Sequence, residues 1–196
     1  MSLAPLDLGA SALVVWDMQR GIAGRAYNGA EIVPRIRELL VAYRARGLPV
    51  VYSQHTMPPP AWGNPAMARA WARRGIPAGG LRLTPGSPDW TILPELAPEP
   101  EELVLPKTTP SFFVGTPLEA MLRFRGIATL VLTGVSAEAG ILGTARHAID
   151  LGFLPLVVED AVGSMSPDGR AQGLATLRAL CDVEPAASVV ARLPPR

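Results

Sequence analysis

A chain of 196 residues, 48% hydrophobic and 18% charged, has the apolar content for one α/β domain with a sizeable core, which excludes an intrinsically disordered polymer. A formal charge of +1 is too balanced for binding driven by a like-charged surface, so neither nucleic acid nor an anionic membrane is an expected partner. The single cysteine, Cys181, excludes an internal disulfide and fits a reducing, cytoplasmic compartment. The opening MSLAPLDLGASALVVWD has no basic stretch ahead of its short apolar run, so a signal peptide is not expected, and no run is long enough to span a bilayer.

In chain order, ALVVW (12–16) reads as a buried strand, because it is short, continuous and valine-rich. EIVPRIRELLVAYRARG follows with apolar residues at helical spacing (Ile32, Ile36, Leu39, Leu40, Tyr43), and Gly47 supplies a stop. LPVVYSQ, ELVLP, IATLVLTG and FLPLVVED read as the second to fifth strands, and a last short strand is expected in ASVVARL. Helices are expected at about 115–125, 137–151 and 168–181. Strand and helix alternating at this spacing predict a Rossmann-like parallel sheet of five to six strands with helices on both faces, formed by a single domain over residues 1–196. Residues 57–100 break the rhythm with much of the chain's proline, and a connection that long inside one domain predicts a lid or binding loop.

Open parallel sheets bind their ligands beyond the carboxyl ends of the strands. The polar residues expected there are Asp17 after the first strand, Gln54 and His55 after the second, Lys107 after the third, Ser136 and Glu138 after the fourth, and Glu159 and Asp160 after the fifth. An acid and a lysine from nearby strand ends make an ion pair, in which the lysine either holds the carboxylate ionised or tunes it for acid–base work. The bland readings beside this are a turn cap for Asp17, the lesser alternative on residue type, and an exposed surface lysine for Lys107.

Three segments carry a family resemblance: ALVVWDMQRG, the stretch from TPGSPDWTILPELAPEP through LVLPKTTPSFFVGT, and TGVSAEAGILGTARHAIDLGFLPLVVEDAVGS. In order and at this spacing they resemble the isochorismatase-like hydrolases, also called cysteine hydrolases, over nearly the whole chain. That resemblance implies a small-molecule substrate, homodimers or homotetramers, Asp17 as the family aspartate, Lys107 as the family lysine and Phe112 in a pocket loop. It also implies a cis peptide at Val135–Ser136. Where the family's amidohydrolases place their nucleophilic cysteine this chain has Gly140, as isochorismatases do, so the expected chemistry is acid–base hydrolysis of a vinyl ether or related C–O or C–N bond, using Asp17 and Lys107. A non-catalytic binding or regulatory protein that keeps the fold is the alternative.

Isochorismatases resemble one another in an aromatic residue and a histidine where this chain has Ser136 and Glu138. Glu138 is either a group for a cationic substrate or a water-activating base, or a first-turn glutamate favoured by the helix dipole. With Gln54, His55, Phe112, Val135, Ser136 and Gly140 it completes the expected pocket. GVSAE falls one residue short of the serine-hydrolase elbow, and His147 is expected on the same helix as Ser136. Two distant histidines and the absence of nucleotide motifs predict neither a metal nor a cofactor. In the lid, Arg69 and Arg73 stand four apart on a helical pattern with Trp71 between them, and Arg82 follows; they read as carboxylate clamps or as a solvated face.

Overall fold

A computed structural model describes residues 4–76 and 80–195. Six strands form one sheet: β1 Ser11–Trp16, β2 Val50–His55, β3 Leu103–Lys107, β4 Thr129–Val135, β5 Leu154–Gly163 and β6 Asp182–Glu184. All pairings are parallel, in the order β3-β2-β1-β4-β5-β6. The helices are α1 Arg20–Ala23, α2 Gly29–Arg44, α3 Pro65–Arg73, α4 Leu118–Phe124, α5 Leu142–Asp150, α6 Pro167–Arg178 and α7 Ala186–Arg192. The strand order reverses between β1 and β4, which is where ligands of such sheets bind.

Alternation along β1 shows how the sheet is covered. Leu13 and Val15 point into one apolar cluster with Ile36, Leu39 and Tyr43 of α2 and Val189 of α7. Ala12, Val14 and Trp16 point into the other, with Leu118 and Leu122 of α4, Ala145 and Ala148 of α5, and Leu174 and Leu177 of α6. A strand buried on both faces must be apolar at consecutive positions, which accounts for the unbroken run that marks it in the sequence.

The expected last strand, ASVVARL, is the helix α7. Pro185 precedes it, and Ala186 and Val189, three apart, are its buried positions, a helical rather than an alternating pattern. The sixth strand is instead the three-residue Asp-Val-Glu segment before it, too short and too charged to show a strand pattern. Glu159 and Asp160 lie within β5, not beyond it: β5 continues to Gly163, past a shift in register opposite Leu132 and Gly134 of β4. Glu159 pairs with Arg178 and Asp160 with Arg35, away from the sheet's carboxyl edge.

The long connection after β2 divides in two. Its first part carries α3 and is exposed along most of its length. Its second part is built into the core: Leu81, Leu83, Ile92 and Leu96 are buried in the α2-side cluster. Gln19, just past β1, fastens it further. Its amide nitrogen donates to the carbonyls of His55 and Trp90, its oxygen accepts from the His55 N–H, and its backbone bridges Ile92.

Candidate active site

At the carboxyl end of β1 the chain turns sharply, with Asp17 in the left-handed region at φ 48°. The turn points the Asp17 carboxylate toward β2 and β3, where two side chains meet it. Lys107 Nζ, at the end of β3, donates to Asp17 Oδ2 at 2.7 Å. Ser53 Oγ, on the strand between them, donates to Oδ1 at 2.6 Å and accepts from the Asp17 N–H at 3.0 Å. A serine here is small enough for Lys107 to reach across β2, while its hydroxyl satisfies the second carboxylate oxygen. The Lys107 side chain is fully buried and that of Asp17 is 2% exposed. Lys107 also donates to the Thr109 carbonyl at 3.2 Å and sits 3.6 Å from the centre of the Trp16 ring. Burial lowers the proton affinity of Lys107, and the Asp17 carboxylate acts in the opposite direction.

Beside this pair lies a cavity of about 150 Å³. Trp16, Asp17, His55 and Gly140 line its sheet side, and Trp71 and Arg74 of the α3 segment line another. His55 Nδ1 is 4.0 Å from Asp17 Oδ2, and its ring packs against Trp71 with centroids 5.2 Å apart. Burial pushes the His55 imidazole down to about 4, so at neutral pH it is uncharged.

After β4 the Val135–Ser136 peptide is cis, and a π turn over Ala137–Ile141 leads into α5. Such wide turns inside helices are frequent at functional sites. The Ser136 carbonyl accepts from the Ala139 and Ile141 N–H groups, and its hydroxyl faces the cavity and accepts from Arg74 at 2.9 Å. Arg74, just past α3, also pairs with Glu138.

Comparison with known proteins places this geometry in a family. The family model described as the isochorismatase domain matches residues 11–188. The chain belongs to the isochorismatase-like hydrolase superfamily. Among relatives of this hydrolase, a ureidoacrylate amidohydrolase of Methylorubrum extorquens is 31% identical over 188 residues, covering 85% of this chain and 75% of that protein. A cysteine hydrolase from Pseudomonas syringae pv. phaseolicola superposes with a TM-score of 0.85 at 24% identity, covering 97% of this chain and 95% of the other. An N-carbamoylsarcosine amidase from Thermoplasma acidophilum superposes with a TM-score of 0.73 at 29% identity, covering 90% and 96%.

The hydrolase brings Asp17, His55, Val135, Ser136 and Gly140 to one cavity wall, with Lys107 behind Asp17. Three other expected pocket residues lie off that wall. The Gln54 side chain donates to the Trp90 carbonyl at 3.0 Å, because alternation along β2 turns it away from Ser53 and His55. Phe112 is fully buried in the α5-side core, its N–H bonded to Thr144 Oγ1. Glu138 faces Arg74 and packs near Gly169 of α6, so it is an electrostatic partner of the α3 segment and is not among the residues lining the cavity. The arginine at the cavity is Arg74, whereas Arg69, Arg73 and Arg82 are exposed. His147 bonds Ser111 at 2.9 Å, away from Ser136. Among the described residues no cluster of three His, Cys, Asp or Glu side chains is placed to hold a metal ion, and no helix is long and apolar enough to cross a membrane.

Sequence reasoning missed Ser53, Trp16 and Arg74. Ser53 alone had a signal, a hydroxyl two residues before His55 and so on the same face of β2.

Proposed function

We propose that this hydrolase cleaves a small, mostly apolar molecule by proton transfer at Asp17, without a covalent intermediate. The observation that carries the reading is the buried contact of Lys107 Nζ with Asp17 Oδ2, in the wall of a cavity where position 140 is glycine. Asp17 presents a carboxylate to the cavity, and Lys107 backs it with a proton that burial has loosened. Proton donation from this pair to the terminal carbon of a vinyl ether makes an oxocarbenium-like centre. Water adds to that centre and returns its proton to the pair, and the resulting hemiketal collapses to a carbonyl compound and an alcohol. The ether oxygen leaves with the alcohol, so atoms and protons balance and no thiol takes part. A cavity of about 150 Å³ matches the size of engineered apolar cavities that hold benzene, which sets the scale of the reacting part of the substrate.

Hydrolysis of a C–N bond is the neighbouring reading, favoured by likeness to a ureidoacrylate amidohydrolase and an N-carbamoylsarcosine amidase. There the same pair draws a proton from water as it attacks the carbon and returns that proton to the nitrogen as the C–N bond breaks, releasing the amine or ammonia. The deciding experiment incubates the purified protein and Asp17→Asn with a panel of vinyl ethers, carbamoyl compounds and ureido compounds, following alcohol and ammonia release separately. Turnover abolished in Asp17→Asn supports the reading, and the product released names the bond. Ligands that shift the melting temperature yet are never turned over favour a binding protein instead.

The reading also takes residues 1–196 as one cytoplasmic domain that assembles as a homodimer or homotetramer. Trp62, 81% exposed, and Phe124, 85% exposed, are the large apolar side chains that such an assembly would cover. Light scattering that shows only monomer at micromolar concentration contradicts the oligomer.

A further inference from the structure

Trp16 and Gly140 face each other on the cavity wall, one at the end of β1 and the other in the π turn before α5. They leave no space between them. A Cβ placed on Gly140 would overlap Cη2, Cζ2 and Cζ3 of the Trp16 ring, well inside van der Waals contact. Relief by swinging the indole aside is opposed on two sides. Its Nε1–H donates to Thr144 Oγ1 at 3.0 Å, a buried bond to the next turn of the same helical segment. Its ring carries the Lys107 ammonium at 3.6 Å from the centroid. Trp16 is 6% exposed, so nearly all of its surface is committed to these contacts and to the α5-side core. The neighbouring Gly134, at φ 109°, lets β4 approach the Trp16 backbone equally closely, so the whole residue is clamped.

We infer that Trp16 is the residue that closes position 140 to a nucleophile: its indole occupies the volume that any side chain there would need. The consequence is chemical as well as steric. No nucleophile can project from position 140 while Trp16 keeps this rotamer, and the reacting space is confined to a shallow cavity beside Asp17. This rests on the acid–base reading for its meaning in catalysis, but the interlock itself is a packing relation that is measured without any substrate. A thiol at 140 therefore requires a change at 16 as well, and substitution of Gly140 alone does not convert the site.

The test is a double-substitution cycle. Gly140→Ala, Trp16→Leu and the double variant are compared by thermal melting. The expected result is that Gly140→Ala lowers the melting temperature by several degrees in the wild type and by little or nothing beside Trp16→Leu. Equal losses on both backgrounds would mean that the new methyl meets something other than Trp16, and would overturn the inference, as would no loss in the wild type. Should Gly140→Ala not fold, a folded double variant supports the interlock and an unfolded one overturns it. A second readout is one that general destabilisation would not move. In a Cys181→Ser background, Gly140→Cys with Trp16→Leu should be alkylated by iodoacetamide at least tenfold faster than Gly140→Cys with Trp16 intact. Equal rates overturn the proposal. Neither measurement uses turnover, so failure of the acid–base reading shows separately, as full activity in Asp17→Asn.

Discussion

Two ion pairs border the same cavity. Asp17–Lys107 is sealed, with side chains 2% and 0% exposed, each polar atom bonded and an aromatic ring against the ammonium. Arg74–Glu138 joins the mostly exposed α3 segment to the π turn, with side chains 29% and 21% exposed. Water screens the second pair and not the first, so the first can change the energy of a reacting group while the second can do little more than hold a surface in place. The same contrast runs through the long connection between β2 and β3. Its second part is anchored by Gln19 and by Leu83 and Leu96, fully buried, whereas α3 in the first part is tied down chiefly by Arg74 and by Trp71 against His55. The Asp17–Lys107 pair therefore sits against the well-anchored part of the connection, and α3 is the part with the fewest buried contacts.

Breaking the sealed pair should give the largest effect. Asp17→Asn should cost about 10² to 10⁴-fold in turnover, the range of a general acid–base group. Asparagine tolerates the left-handed backbone at this position, so the turn survives, and Lys107 can shed its proton once its partner is neutral. Lys107→Met should be the more destabilising single change, by about 3 to 5 kcal/mol, because it strands a carboxylate in the interior. The double variant should recover much of that stability and none of the activity. Calorimetry and turnover on the three proteins check this, and a double variant no more stable than Lys107→Met breaks the contrast.

Acid should expose the same burial through His55. Its folded value, about 4, lies below the 6.5 of a free imidazole, so between these values the unfolded chain binds more protons than the folded one. Stability therefore holds above about pH 6.5 and falls as the pH drops toward 4, by at most about 3 kcal/mol from this group. His55→Gln should flatten that part of a pH–stability curve measured by denaturant titration. A curve with the same slope in wild type and His55→Gln would show that the imidazole is not held neutral.

The exposed pair should matter less, and differently. Arg74→Met and Glu138→Gln should each change stability by no more than about 1 kcal/mol, as for other partly exposed pairs. Because Arg74 lines the cavity and ties the α3 segment to the π turn, its loss should raise KM by up to about tenfold and leave kcat nearly unchanged. Steady-state kinetics at low and high salt test this. An equal fall in kcat would move Arg74 from the rim to the chemistry.

What was legible in the sequence follows the same division. β1 and β4 could be read because burial on both faces forces consecutive apolar residues, the edge strand β3 kept a shorter apolar run, and Asp17, His55 and Lys107 could be read because they stand at or just past strand ends. Residues that depend on how two elements cross could not. Arg69 and Arg73 were correctly helical but face solvent, and Arg74, one residue on, turns inward; only the docking of α3 decides which. Trp16 reads as one more core residue at the end of an apolar run until the helix carrying Gly140 is laid against it. Glu138 is legible as a charge but not as a partner of a lid that lies more than sixty residues earlier in the chain.

The smallest expected effect concerns the one cysteine. Cys181 follows α6 and packs against the α5-side core, with its Sγ 3.5 Å from the Leu177 carbonyl. Burial, with a further contribution from Asp182, pushes its thiol up to about 12. Alkylating reagents attack the thiolate, and at pH 7.5 that leaves about one molecule in 10⁴ or fewer in the reactive form. Treatment with iodoacetamide should therefore leave Cys181 unmodified by mass spectrometry over an hour and turnover unchanged. Cys181→Ser should behave alike. Rapid inactivation of the wild type, with Cys181→Ser protected, would give the thiol a place in the reaction that its position beside α6 denies it, and would remove the ground for assigning the chemistry to Asp17 and Lys107.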